Sequence, residues 1–168
     1  MSDALYYTTL PTAIGELLLV GNARGLRYVR FVENDLAEHL TKFDSVTKLD
    51  GFFDSSKAAL DAFFAGNGAL KLPFDITEGT PLQRAVWMEL TRIPYGETIS
   101  YTTLADRVGF PRAVRAVASA CGANPLPLVI PCHRVVAKDG SLGGFSLGGV
   151  GVKEKLLAVE AGKESIAA

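Results

Sequence analysis

Cys132 and His133 stand side by side at the end of the run Asn124-Pro125-Leu126-Pro127-Leu128-Val129-Ile130-Pro131. A thiol becomes a nucleophile as its thiolate, and a neighbouring imidazole is the usual group that takes its proton. Three prolines in seven residues fix φ and push each preceding residue toward extended backbone, so the pair arrives on a rigid, apolar approach. A thiol meant only for packing needs no such approach. On an extended strand, adjacent side chains point to opposite faces, so Cys132 and His133 need a turn there, or a bridging water, to exchange a proton. An imidazole base also wants a carboxylate to orient it. The helix predicted over about residues 152–161, with Gly162 as its stop, offers two. On the helical wheel Glu160 falls between Leu156 and Leu157 on the apolar side, while Glu154 points away. A carboxylate that must be buried wants a partner, which favours Glu160. A bare Cys-His dipeptide is most often structural, and the proline run and the inward glutamate set a catalytic reading beside that one. Cys121, on the packed side of its helix, reads as an inert buried thiol.

Ahead of this segment lies a candidate helix-turn-helix. Ser100 can cap a short helix with Leu104, Ala105 and Val108 inward, and Gly109 can stop it in the left-handed conformation. Pro111 is expected to begin the second helix. Over residues 112–121 the wheel puts Val114, Val117, Ala118 and Cys121 on one side and Arg112, Arg115, Ala116 and Ser119 on the other. Two arginines among small side chains suit close approach to a phosphate backbone or a narrow groove. The same arrangement occurs in helical proteins that bind nothing, so the wheel alone leaves both readings open.

The N-terminal half reads as mixed β and α. Leu5–Thr9, Glu16–Val20 and Leu26–Val32 are predicted strands of an antiparallel meander, separated by Pro11–Gly15 and by Gly21–Gly25. Asp35 can cap a helix with Leu36, His39, Leu40 and Phe43 on one face, and His39 reads as a partly buried surface histidine. A second helix over Asp54–Ala65 has Leu60, Phe63 and Phe64 inward and Gly66 as its stop. Thr80, Pro81 and Gln83 form a capping box with proline at the first helical position. Leu82, Val86, Leu90 and Ile93 share a face of the helix that follows. The expected fold is α+β: residues 1–78 form a small antiparallel sheet with helices, and residues 79–168 a mainly helical, winged-helix-like domain.

The chain has 168 residues, with 48% hydrophobic and 21% charged residues, an ordinary globular composition. Its net charge of −1 hides an asymmetry: residues 1–79 carry 7 basic and 11 acidic side chains, residues 80–168 carry 10 and 7. Any polyanion contact therefore falls to the second half. Two cysteines and two histidines exclude a disulfide scaffold and a four-cysteine zinc site. No apolar run reaches the roughly 20 residues of a membrane helix, and the start lacks a signal-peptide pattern, so a reducing cytoplasm is expected. The glycines between Asp139 and Gly151 fit neither a phosphate loop nor a dinucleotide fingerprint, and a close-packed binding loop accounts for them better.

Ile-Pro-Cys-His-Arg-Val, preceded by Asn-Pro-x-Pro and followed by Gly-Phe-Ser and Lys-x-x-Leu-Leu-x-x-Glu, strongly resembles the methylated-DNA–protein-cysteine methyltransferases, from about Thr80 to Gly162. The resemblance implies that Cys132 accepts an alkyl group from the O6 of guanine in double-stranded DNA, in one irreversible turnover. It implies His133 as a base acting through water, Glu160 as its orienter, and Asn124 as the brace of the turn before the cysteine. Tyr101 would serve the departing guanine. Arg115 would fill the gap left by the flipped base, with Arg112, Ala116 and Ser119 on the DNA face of a helix in the minor groove. The Val135 carbonyl and the Ser146 backbone would frame the base, with Phe145, Pro127 and Gly143 around them. No metal or cofactor and no membrane are expected, and a monomer is. Ala118 and Ser119 are larger than the glycines often found in this helix, and the zinc ligands of some relatives are absent. Two other classes compete: a module that binds alkylated DNA and transfers nothing, and a multiple-turnover thiol hydrolase.

Overall fold

The computed structural model describes residues 4–143, 145 and 147–163. The N-terminal half holds β1 (Tyr6–Thr12), β2 (Gly15–Asn22), β3 (Gly25–Phe31), α1 (Leu36–Leu40), β4 (Thr47–Lys48) and α2 (Asp54–Phe64). The second half holds α3 (Pro81–Leu90), β5 (Ile99–Ser100), α4 (Tyr101–Arg107), α5 (Val114–Gly122), β6 (Val135–Val136) and α6 (Val150–Glu160). This is the expected α+β architecture. Strands β1 to β3 form the antiparallel meander, in a sheet ordered β3-β2-β1-β4 whose edge strand β4 runs parallel to β1.

Both hairpin turns are tighter than the sequence suggests. Strand β1 continues through Pro11 to Thr12, opposite Gly15, so only two residues make the first turn. Asn22 pairs with Gly25, and its Oδ1 accepts from the amides of Arg24 and Gly25 at 2.8 and 3.2 Å, closing the second turn from within. Strand β2 is buried on both faces. Leu17 and Leu19 join the large core shared with the second half, while Leu18 and Val20 join a smaller cluster beneath α1. Asp35 precedes α1 without capping it. Its carboxylate accepts from the Glu33 amide at 2.8 Å and meets His39 Nε2 at 3.1 Å. His39 also reaches the Tyr28 hydroxyl, at 2.8 Å through Nδ1, a structural place for a histidine.

The open edge of β3 is covered by backbone from elsewhere in the chain. Leu26 donates to Pro73 O and accepts from Asp75 N, and Val29 N donates to Pro125 O at 2.9 Å. Side chains follow: Asn22 Nδ2 and Arg24 Nε both reach Asp75. The segment leading to α3 is thereby laid along the sheet. Gly25 makes this approach feasible, since a Cβ there would sit 2.5 Å from the Pro73 carbonyl group, on a backbone with φ of +146°.

Helix α3 begins with the predicted capping box: Gln83 N donates to Thr80 Oγ1 at 3.1 Å and Thr80 N donates to Gln83 Oε1 at 2.9 Å. Its buried side includes Trp87, which the face read from the sequence leaves out. The Trp87 indole donates to Ala120 O at 2.8 Å and so fastens α3 to α5. Helix α4 is capped by Ser100, whose hydroxyl accepts from Thr103 N, and stops at Gly109 with φ of +86°. Helix α5 begins at Val114, three residues later than Pro111 predicted. Residues 110–113 form a turn closed by Ala113 N on Phe110 O, which leaves Arg112 ahead of the helix. The parallel pair β5–β6 sets Ile99 against Val135 and Ser100 against Val136, next to the start of α4.

Gly25→Ala should be among the most damaging single changes in the N-terminal half. It sets a methyl group against the linker backbone and strains φ, and we expect a loss of about 2 kcal/mol or more in urea unfolding. A loss within about 0.5 kcal/mol, the usual range for a surface change, would mean that the linker does not hold the sheet edge.

Candidate active site

The proline-rich run does not approach the cysteine as an extended strand. It folds back on itself, with Ile130 N donating to Leu126 O at 2.8 Å and Leu128 held at φ of +76°. Asn124 is the reason. Fully buried, it donates from Nδ2 to Ile130 O at 2.8 Å and accepts at Oδ1 from Leu126 N at 2.9 Å. One amide side chain thus closes a turn of six residues from inside. Asn124 also draws the Cys132 thiol downward in pKa, against the effect of burial.

Residues Cys132–Arg134 form one turn of 3₁₀-helix, with Cys132 N on Ile130 O and Arg134 N on Pro131 O. Of the two arrangements expected for the thiol and the imidazole, a turn or a bridging water, the turn is present. Cys132 and His133 are buried, His133 completely. His133 Nε2 lies 2.5 Å from Glu160 Oε2, the carboxylate that the wheel pointed inward. Arg134 grips the same carboxylate with two donors, Nε to Oε1 at 2.7 Å and a terminal nitrogen to Oε2 at 3.0 Å. Its other terminal nitrogen donates to Ile93 O at 2.7 Å. Gly96 N adds a longer bond of 3.4 Å to Glu160 Oε1.

These contacts decide protonation. Burial alone would push the Glu160 carboxyl up, but the hydrogen bonds from His133 and Arg134, with the Arg134 charge, prevail and hold it at about 2, against 4.5 for an ordinary glutamate. Burial pushes His133 below its ordinary 6.5, with Glu160 acting in the opposite sense. His133 is thus neutral, and with Nε2 donating to Glu160 its lone pair lies on Nδ1. That Nδ1 is buried and has no hydrogen-bond partner among the described residues. Burial also raises the Cys132 thiol, while Asn124 and the positive Lys153 pull it down.

Lys153 is a site residue that the sequence reading missed. It sits on α6 two turns before Glu160, with its side chain fully buried. Nζ donates to Val135 O at 2.6 Å and to Leu142 O at 2.5 Å, joining the strand after the cysteine turn to the glycine-rich loop. Nζ also lies 5.7 Å from the centre of the Tyr101 ring. Tyr101, the first residue of α4, is raised to about 12 by burial and by the two nearby thiols of Cys121 and Cys132. Gly143 packs against the ring of Tyr101. The available signal was the spacing of Lys153, Leu156 and Glu160, which puts a lysine on the buried stripe. Arg134 was equally missed as a functional group, because its partner is 26 residues away.

The remaining candidates divide. Arg115, Ala116 and Ser119 share the exposed side of α5, and Arg112 stands on the turn before it. Val135 and Pro127 are buried and Phe145 is half-buried against the core. The Val135 carbonyl, expected to frame a base, accepts from Lys153. Ser146 lies outside the described residues. Among the described residues no three His, Cys, Asp or Glu side chains are grouped to hold a metal, and no helix is long and apolar enough to cross a membrane.

Comparison with known proteins gives the family. Residues 81–162 match the family described as 6-O-methylguanine DNA methyltransferase, DNA binding domain, and residues 5–76 match its ribonuclease-like domain. A methylated-DNA–protein-cysteine methyltransferase of Methanosarcina acetivorans is 40% identical over 159 residues, covering 93% of this chain and 98% of that one. One from Haemophilus influenzae is 38% identical, over 94% of this chain and 87% of its own. Among solved structures, Mycobacterium tuberculosis OGT in complex with DNA superposes with a TM-score of 0.85 at 37% identity, covering 95% of each chain.

Both perturbed groups make stability fall in acid. An unfolded chain protonates His133 near 6.5 while the folded one resists, so stability declines as pH drops below that value. Glu160, depressed from 4.5 to about 2, adds a second loss as pH falls through that interval. Urea midpoints measured across this range should fall in both intervals. Glu160→Gln leaves Arg134 without its counter-charge and should cost about 3–5 kcal/mol near neutral pH. A flat profile, or a silent Glu160→Gln, would contradict the burial of this pair.

Proposed function

The chain belongs to the 6-O-methylguanine DNA methyltransferase family and repairs DNA by moving an alkyl group onto its own cysteine; we propose that Cys132 is that cysteine and O6-alkylguanine in duplex DNA its substrate. One observation carries the residue assignment. His133, the histidine adjacent to the Cys132 thiol, has Nε2 committed to Glu160 and a buried Nδ1 with no hydrogen-bond partner among the described residues.

In this reading His133 takes the thiol proton at Nδ1 through a water molecule. The thiolate attacks the alkyl carbon, the S–C bond forms, the C–O6 bond breaks, and the electron pair stays on the guanine. The Tyr101 hydroxyl hands the departing base its proton, and the proton held by His133 replaces it by way of solvent. The product is a thioether, a poor leaving group, so the protein is spent. Asn124 braces the turn that presents the thiol.

Cys132 is only 4% exposed, and a base stacked in a duplex cannot reach it. The nucleotide must be turned out of the helix, at a cost of a few kcal/mol that contacts elsewhere offset. We assign Arg115 to the gap left in the stack. Ala116 and Ser119 keep the face of α5 low enough for the minor groove, and Arg112 contacts phosphate. The Val135 carbonyl, which keeps a second lone pair, frames the base with the Ser146 backbone, and Phe145, Pro127 and Gly143 complete the pocket. We further propose that residues 1–78 and 79–168 are the two domains, and that the protein works as a monomer in the cytoplasm without a cofactor.

Intact-mass spectrometry after incubation with a duplex containing O6-methylguanine should show one added methyl group, on Cys132, at one-to-one stoichiometry. Bound but unmodified protein would instead point to a recognition module, and repeated turnover to a hydrolase. Arg115→Ala should slow transfer from duplex at least about tenfold while leaving transfer from the free O6-alkylguanine base unchanged, because only the duplex requires extrusion. Equal losses on both substrates would remove Arg115 from that role.

A further inference from the structure

Glu160 is shared between a permanent cation, Arg134, and a potential one, His133, and the sharing decides whether the imidazole takes a charge. With His133 alone, a buried carboxylate favours an imidazolium, because the resulting pair is neutral overall. An imidazolium cannot accept the thiol proton. Arg134 changes this balance. Its fork takes both carboxylate oxygens, at 2.7 and 3.0 Å, and the third nitrogen is anchored on Ile93 O at 2.7 Å. The Arg134–Glu160 pair is already neutral, so a proton added to His133 would leave an uncompensated charge in a fully buried site.

We infer that Arg134 is a positioning residue for the transfer, which cancels the charge of Glu160 and so keeps His133 a neutral base whose Nδ1 lone pair can accept a proton. The inference rests on the assignment of Cys132 as acceptor and His133 as base. The groups around the imidazole agree with it. Helix α6 presents Glu160 and Lys153, the turn itself presents Cys132 and Arg134, the segment after α3 presents Tyr95 beside Arg134, and α2 presents the Phe63 ring. Lys153 and Arg134 both oppose protonation of His133, and Glu160 alone favours it. Arginine also suits the place chemically, since it cannot give up its proton and its planar fork matches a carboxylate.

Arg134 can be reached from outside. It lines a cleft of about 620 Å³, open between the 69–74 linker, the end of α3 and residues 128–131, so small solutes have a route to its position. That permits a rescue experiment as well as substitution.

The single-turnover transfer rate should be measured from about pH 5 to about pH 9 in the native protein and in Arg134→Met and Arg134→Lys. Native protein should keep its rate well below pH 6.5, the ordinary value for histidine. Arg134→Met should lose at least about tenfold between pH 8 and pH 6, and Arg134→Lys, which restores the charge, should lose less than about threefold. In Arg134→Ala, millimolar guanidinium should restore the rate at pH 6, where sodium at equal ionic strength should not. A rate lowered by the same factor at every pH, in all variants, would overturn the inference and leave Arg134 a structural brace. Should the variants not fold, the native protein decides. With His39→Gln removing the other imidazole, nitrogen NMR at pH 6 should show His133 neutral and protonated at Nε2, and an imidazolium signal would overturn the inference. A native protein that gains no methyl on Cys132 would instead overturn the parent reading, with the imidazole spectrum still deciding the part played by Arg134.

Discussion

A carboxylate taken out of water has to be answered by donors, and Glu160 is answered by four. They are His133 Nε2, two nitrogens of Arg134 and the Gly96 amide. They come from the cysteine turn and from the segment leaving α3, and they meet a residue at the last position of α6. An ionised carboxylate left alone in such a place would be untenable. The three stretches must therefore assemble together or not at all, and the orientation of the base follows from that assembly. The chemistry of the thiol thus depends on a fold-level requirement.

The N-terminal half supports this arrangement from behind. Helix α2 lays Phe63 against the ring of His133, with centroids 6.4 Å apart. Strand β3 receives Pro125 O on its edge and so holds the start of the cysteine segment. Gly148 in the loop before α6 rests on Phe31, where a Cβ would come within 2.7 Å of the ring. Both halves contribute to one continuous apolar core, through Leu17, Leu19 and Phe63 on one side and Val86, Leu104 and Ile130 on the other. At the other end of the site, two residues of parallel sheet set Tyr101 at the head of α4 close to the turn that carries Cys132.

Local signals in the chain proved readable. Caps at Thr80 and Ser100, stops at Gly66, Gly109 and Gly162, and the inward phase of Glu160 all follow from interactions within a few residues. Readings that needed distant partners were weaker. Pro111 is compatible with a helix start, yet the turn closed by Phe110 and Ala113 delays α5 to Val114. The prolines before Cys132 suggested an extended approach, and the buried amide of Asn124 folds them into a turn instead. Edge strand β4 has only two residues and exists because β1 is there to pair with it. Arg134 and Lys153 look like ordinary surface cations in sequence. Their meaning comes from Glu160 and Ile93 in one case, and from the Val135 and Leu142 carbonyls in the other.

Lys153 ties two main-chain segments, the strand after the cysteine turn and the glycine-rich loop, with one ammonium group. An enzyme that recycles has to let its product go, and usually keeps a mobile lid for the purpose. A protein that ends its working life bonded to its product faces no such demand. It can fix one wall of its site with a charged clamp, because nothing bonded there has to leave again.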